Sequence, residues 1–283
     1  MRQSSTLANN HQPSRAQQPS SAAAIMEAAW RLAVETFWLF CRAWQKTFRL
    51  PLVLALVLAL PAVTLWLLSQ IFASIHQTPG FSSMQSLSFF APGMLVIAAL
   101  FGSSFAGIGL LGDRESGFLE RLAAAPIHRS AILLSKAVAD GSRTLLQGLV
   151  LLLLLALLHT PITAQMSALC GLLALLAVFS LAFAMLSYVV ALLTKSIEAL
   201  MLIEMFLFLL LLFGSNALLP DDLLPGWMRT ISLLNPVSHT VTLARQLLAG
   251  SATPLAYSLT FGALALLASL GMSIAAFKIK HIT

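Results

Sequence analysis

The chain has 283 residues, of which 59% are hydrophobic and 9% charged, with a net charge of +6. Soluble domains carry about 25% charged residues, so this much apolar surface cannot be enclosed in a water-soluble core and must face lipid; the mean hydropathy of +0.90 agrees. The length leaves room for one membrane domain and excludes a second large soluble one. Cys41 and Cys170 lie far apart in apolar stretches and suggest neither a disulfide framework nor a metal site.

In chain order, the first 21 residues are rich in Ser, Gln and Asn and hold no apolar run. They read as a disordered cytoplasmic tail, taken as residues 1–23, rather than a signal peptide. A membrane domain over 24–283 follows. Its first element, 24–49, places Glu27, Arg31, Glu35, Arg42, Lys46 and Arg49 on one helical face and Met26, Trp30, Phe37, Phe40 and Trp44 on the other; Trp38 breaks the pattern. This predicts an amphipathic helix in the membrane interface, the alternative being a tilted extension of the first span.

A helical span needs about 20 apolar residues. The apolar stretches predict six spans, at about 51–71, 90–111, 140–158, 168–193, 199–219 and 254–277. Lys and Arg flanking the spans fall fourteen on one side and, as Arg229 and Arg245, two on the other. By the positive-inside rule the rich side is cytoplasmic and holds both termini, which also accounts for the basic net charge without nucleic acid.

Two connections are unusual. The Gly112–Ser130 loop packs both signs of charge into a short stretch with helix-favouring residues between Gly117 and Pro126; it is longer than two antiparallel spans require, and reads either as a docking surface or as a solvated loop. The 220–253 segment is external in this topology, yet too apolar for a free loop, so it is expected to form short helices packed on the bundle. A lone acid, Glu204, sits within the fifth span, either as a pathway residue or as a group that snorkels or stays protonated. Gly102, Ser103, Ala106, Gly107 and Gly109 of the second span suit close helix packing, within one subunit or between two. No phosphate-binding loop, paired Cys motif, zinc helix or nucleophile elbow is present, so ATP is not bound here in the Walker manner.

Glu115, Gly117, Leu119, Glu120, Arg121, Leu122, Pro126 and Arg129 in the charged loop, and Leu224, Pro225, Trp227, Asn235, Pro236, Arg245 and Gly250 in the external segment, resemble the two signatures of the type-2 ABC exporter permeases, with the drug-resistance branch nearest. The resemblance implies an all-α integral membrane protein: an interfacial helix, six transmembrane helices per subunit, a cytoplasmic coupling helix and an external helical hairpin before the last span. It implies that Glu115, Gly117, Glu120, Arg121, Pro126 and Arg129 serve ATPase coupling. Glu204, Gly214, Ser215 and Asn216 become candidates for the path or gate, and Pro225, Trp227, Asn235, Pro236 and Arg245 belong to the hairpin. The chain would be the non-enzymatic membrane subunit of an exporter of amphipathic, lipid-like, drug or glycan cargo in the bacterial cytoplasmic membrane. It would bind no cofactor itself, with ATP and Mg on a partner ABC ATPase, and would pair with a second copy or a sister permease. The alternative is an ion-coupled carrier that needs no ATPase.

Overall fold

The computed structural model describes residues 21–49, 51–75, 87–118, 121, 129–157, 166–194, 196–218 and 224–280. The described residues form ten helices: α1 (Ser21–Phe48), α2 (Pro51–Ile75), α3 (Leu87–Ser104), α4 (Ala106–Glu115), α5 (Arg129–Leu157), α6 (Met166–Leu193), α7 (Ile197–Phe213), α8 (Gly226–Leu234), α9 (Pro236–Leu248) and α10 (Pro254–Lys280). The tail expected for residues 1–23 falls almost wholly outside them.

Four stretches are long and apolar enough to cross a membrane: Phe90–Glu115, Ala131–Leu157, Met166–Leu193 and Pro254–Lys278. They match the second, third, fourth and sixth expected spans. Around them α2 runs 25 residues and α7 runs 17.

Two boundaries differ from the sequence expectation because a polar group is satisfied, and one span is interrupted. The third span was expected to begin near residue 140, short of its charges, but α5 starts at Arg129. Lys136 pairs with Asp113, and Arg143 pairs with Asp140 on the same helix, so these three charges of the helix each have a partner. The second span is one rod broken at Phe105, with α4 restarting at Ala106. The expected fifth span, α7, stops at Phe213 rather than near 219, because Leu211 O accepts from Asn235 Nδ2 at 2.7 Å and Leu212 O accepts from Ser215 Oγ at 2.7 Å. Carbonyls that would otherwise end a helix unpaired are thus taken up by side chains.

Helix α6 is the centre of the bundle, packed against α3, α4, α5, α9 and α10. Its Phe179 and Phe183 stack at 4.5 Å within an apolar core that includes Leu95, Leu151, Leu175, Val241 and Leu264. Phe101 meets Phe208 edge-on at 5.5 Å and ties α3 to α7. The helices run antiparallel, so Lys46, Arg121, Lys136, Arg143 and Lys278 gather at one end of the bundle, here the basic end, while α8 and α9 form a hairpin at the other.

Small residues set the closest crossings. A Cβ on Gly107 would meet Ser187 O at 2.6 Å and Ala191 Cβ at 3.0 Å, and one on Gly271 would meet Met185 Cβ at 2.8 Å. The small residues of the second span divide accordingly. Ser103, Ala106 and Gly107 are buried inside the chain, whereas Gly102 and Gly109 are exposed. Gly107→Leu is expected to lower stability by roughly 1–3 kcal/mol through overpacking, whereas Gly262→Ala, whose Cβ meets nothing within 4 Å, is expected to keep it or raise it by up to about 1 kcal/mol; thermal unfolding of the detergent-solubilised chain reads both.

Candidate functional site

The basic end begins with the α4 terminus. Glu115 closes α4 and is exposed. The chain turns at Gly117, whose φ of 63° suits a residue without a Cβ, and whose N–H donates to Arg114 O at 2.9 Å. Arg121 folds back over this turn: its Nε donates to Gly117 O at 3.2 Å and its Nη2 to Ser116 O at 3.3 Å. The guanidinium therefore holds the turn and stays exposed. Arg129 opens α5. Glu120 and Pro126, and the middle of the expected coupling helix, lie outside the described residues.

Behind this turn lies a charge cluster. Asp113 accepts from Lys136 of α5 and, at 3.4 Å, from Lys46 of α1. One carboxylate therefore joins three helices. A helical turn deeper, Asp140 pairs with Arg143 and accepts from Tyr188 Oη of α6 at 2.6 Å. Trp44 of α1 donates its Nε1 to Ser142 Oγ at 2.7 Å, and Arg42 lies over the Phe118 ring at 3.4 Å. Arg42, Lys46, Asp113, Phe118, Lys136, Asp140, Arg143 and Tyr188 line a cavity of about 460 Å³ between α1, α4, α5 and α6. Sequence reasoning had sorted Lys46, Lys136 and Arg143 as topology markers and missed the cluster. The i, i+3 spacing of Asp140 and Arg143 was a legible hint; the reach of Lys46 and Tyr188 from other helices was not.

Deeper still is Glu204 of α7, only 2% exposed. It faces inward, toward α6 and α4, rather than toward an open surface. Ser187 Oγ donates to Glu204 Oε1 and accepts the Gly107 N–H at 2.7 Å. The break at Phe105 explains the second bond, since Gly107 is in the first turn of α4 and its N–H has no helical acceptor. Glu204 Oε2 is buried without a hydrogen-bond partner.

At the opposite end, Gly214, Ser215 and Asn216 follow α7 and turn inward as a knot. Ser215 and Asn216 are both 3% exposed. Asn216 Nδ2 donates to Thr242 Oγ1 at 3.2 Å, and Arg245 Nη2 donates to Asn216 O at 2.9 Å. A Cβ on Gly214 would meet Leu210 O at 2.8 Å. Pro225 precedes α8 and Pro236 is the first residue of α9, where its fixed φ suits a helix start. Asn235 caps α9 through its Oδ1, which accepts from Val237 N at 2.9 Å, while its Nδ2 reaches back to α7. Trp227 is 67% exposed. Of the signature residues of this segment, Asn235 and Arg245 hold the hairpin against the end of α7 and the residues after it.

The bridge made by Ser187 is testable. Ser187→Ala strands a carboxylate oxygen and a backbone N–H, and is expected to cost about 1–3 kcal/mol. Adding Glu204→Leu to Ser187→Ala is expected to recover part of that loss, because removing both partners costs less than removing one; thermal unfolding of the single and double variants checks it.

The model of the family described as ABC-2 type transporter matches residues 34–249. The chain is 34% identical over 182 residues to a transport permease of Cyanophora paradoxa, covering 62% of each protein. It is 25% identical over 211 residues to a daunorubicin resistance ABC transporter permease of Streptomyces coeruleorubidus, covering 75% of this chain and 74% of that one. It is also 29% identical over 151 residues to a doxorubicin resistance ABC transporter permease of Mycobacterium tuberculosis, covering 52% and 53%. The match to the first of these spans less than two thirds of that relative's length. Chain order, the Gly117 turn, the Asn235–Pro236 helix start and a family match over most of the helices agree: the chain belongs to the ABC-2 type transporter family of membrane permeases.

Proposed function

We propose that this chain is the membrane-spanning permease subunit of an ATP-driven exporter, with ATP and Mg bound and hydrolysed on a separate ABC ATPase. The observation that carries the reading is the exposed turn at Glu115–Arg121, which is joined through Asp113 to both α1 and α5. Force applied by an ATPase at this turn would be passed to three helices at once. The break at Phe105 lets α4 swing against α3, and the Ser187 bridge to Glu204 carries the movement toward α7. Charges at such a docking surface set register and steering more than affinity.

The topology in this reading has six spans. Helix α2, at about 37 Å for 25 residues, is long enough to be the first, and α7 with the knot after it is the fifth. The fourteen-to-two charge bias puts the basic end and both termini in the cytoplasm, with α1 in the cytoplasmic interface and the α8–α9 hairpin outside. The membrane is the bacterial cytoplasmic membrane. Helix α7 exposes Leu202, Phe206, Leu210 and Phe213, an apolar row that suits a second copy or a sister permease. Glu204 lies midway along α7 and Gly214, Ser215 and Asn216 follow its end; they serve as joints of the path in this conformation. The relatives' names favour an amphipathic, drug-like cargo over a glycan.

One observation favours a second reading, an ion-coupled carrier without an ATPase: the buried carboxyl of Glu204 has an oxygen without a partner, and intramembrane acids often mark ion pathways.

Two measurements separate them. Glu115→Lys with Arg121→Glu is expected to reduce ATPase co-purification and ATP-driven transport at least tenfold while the chain still folds in the membrane. Unchanged ATPase binding would overturn the coupling role. Glu204→Gln is expected to slow ATP-driven transport several-fold without reducing ATPase binding. Transport that runs on an ion gradient with no ATPase present, and that Glu204→Gln abolishes, would establish the carrier instead.

A further inference from the structure

The cavity at the basic end has a composition that neither coupling nor helix packing requires. Its charged lining is Arg42, Lys46, Lys136 and Arg143 against Asp113 and Asp140, an excess of two positive charges. The pairing leaves that excess without compensation. Lys46 and Lys136 share the single carboxylate of Asp113. Arg143 spends one nitrogen on Asp140, and its Nε is buried without a hydrogen-bond partner. Arg42 meets the Phe118 ring and no carboxylate among the described residues. Cations held this way are stabilised by an anion placed between them.

Most of the remaining wall is apolar, with Thr47, Ser135 and Tyr188 as its hydroxyls. Leu39, Phe105, Ile108 and Ile132 line the same space, and its volume of about 460 Å³ lies in the ~300–1,000 Å³ range of small-ligand sites. Two wall positions are glycines: Gly102 and Gly109 are exposed to the cavity side of the second span, and a Cβ on Gly109 would meet nothing within 4 Å. Lys46, 69% exposed in its side chain, stands at the rim, whereas Asp113 and Lys136, at 13% and 18%, form the floor. Helix α1, which forms one wall, exposes Met26, Trp30, Phe37 and Trp38, the surface of a helix lying among lipids.

We propose that this cavity binds the phosphodiester headgroup of an anionic phospholipid from the cytoplasmic leaflet, with Arg42 and Arg143 on the phosphate and the apolar walls against the start of the acyl chains. The bound lipid clips α1 to the second and third spans. A cationic amphiphile is rejected by the charge excess, and a water-soluble anion gains nothing from the apolar walls. The site rests on α1 lying in the cytoplasmic interface but not on ATP-driven transport, so it stands or falls by lipid binding alone.

The test is native mass spectrometry of the full-length chain in detergent, titrated with dioleoyl phosphatidylglycerol, dioleoyl phosphatidylcholine or inorganic phosphate. Phosphatidylglycerol is expected to bind at least tenfold more tightly than phosphatidylcholine, and inorganic phosphate to be ineffective as a competitor. Arg42→Gln, which removes the charge at an exposed position, and Gly109→Leu, which fills the cavity with a helix-favouring side chain, are each expected to weaken phosphatidylglycerol binding at least fivefold. Arg31→Gln, on the same helix but paired with Glu27 outside the cavity, is expected to bind as wild type. Thermal unfolding without lipid establishes that each variant folds. Equal retention of both lipids, wild-type binding by either folded cavity variant, or equal binding of inorganic phosphate would each overturn the proposal.

Discussion

In hydrocarbon a polar group must find its partner within its own protein, since no water is there to supply one. The polar side chains of this permease answer that constraint at two depths. Asp113 and Asp140 are paired with Lys46, Lys136, Arg143 and Tyr188 at the basic end, and Asn216, Asn235 and Arg245 bond Thr242 and backbone carbonyls at the hairpin end. Between them lies an apolar core centred on α6, interrupted by the Ser187–Glu204 bridge.

The two ends are held by different chemistry. At the hairpin end, neutral amides and hydroxyls bond backbone groups of α7, and such bonds demand fixed geometry. At the basic end, long lysine and arginine side chains meet carboxylates, and two lysines share one aspartate. Flexible ammonium groups can exchange partners without a buried charge ever being abandoned. A bundle built this way is stiff at one end and rearrangeable at the other.

The break at Phe105 links these observations. It releases the Gly107 N–H, which Ser187 accepts, and close packing at Gly107 holds the two helices near enough for the bond. Had the second span been one unbroken helix, Gly107 would have bonded within it, and Ser187 would have had no backbone donor to pass between α4 and Glu204. The bridge to α7 is therefore a product of the kink.

The sequence by itself determined membrane embedding, four of the apolar spans in their order, and the positions of the glycine and proline punctuation, because these follow from composition and local backbone rules. Gly117 took the left-handed turn and Asn235–Pro236 started a helix for reasons contained in two or three residues. Tertiary structure alone decided which charges met. Asp113 chose Lys46 and Lys136 from 67 and 23 residues away, α5 extended through its own charges because partners were waiting, Glu204 turned inward to Ser187, and Arg42 was brought over Phe118 beside a cavity. Pairings of that kind depend on helix rotation and crossing distance, which the packing of the whole bundle sets and no local pattern encodes.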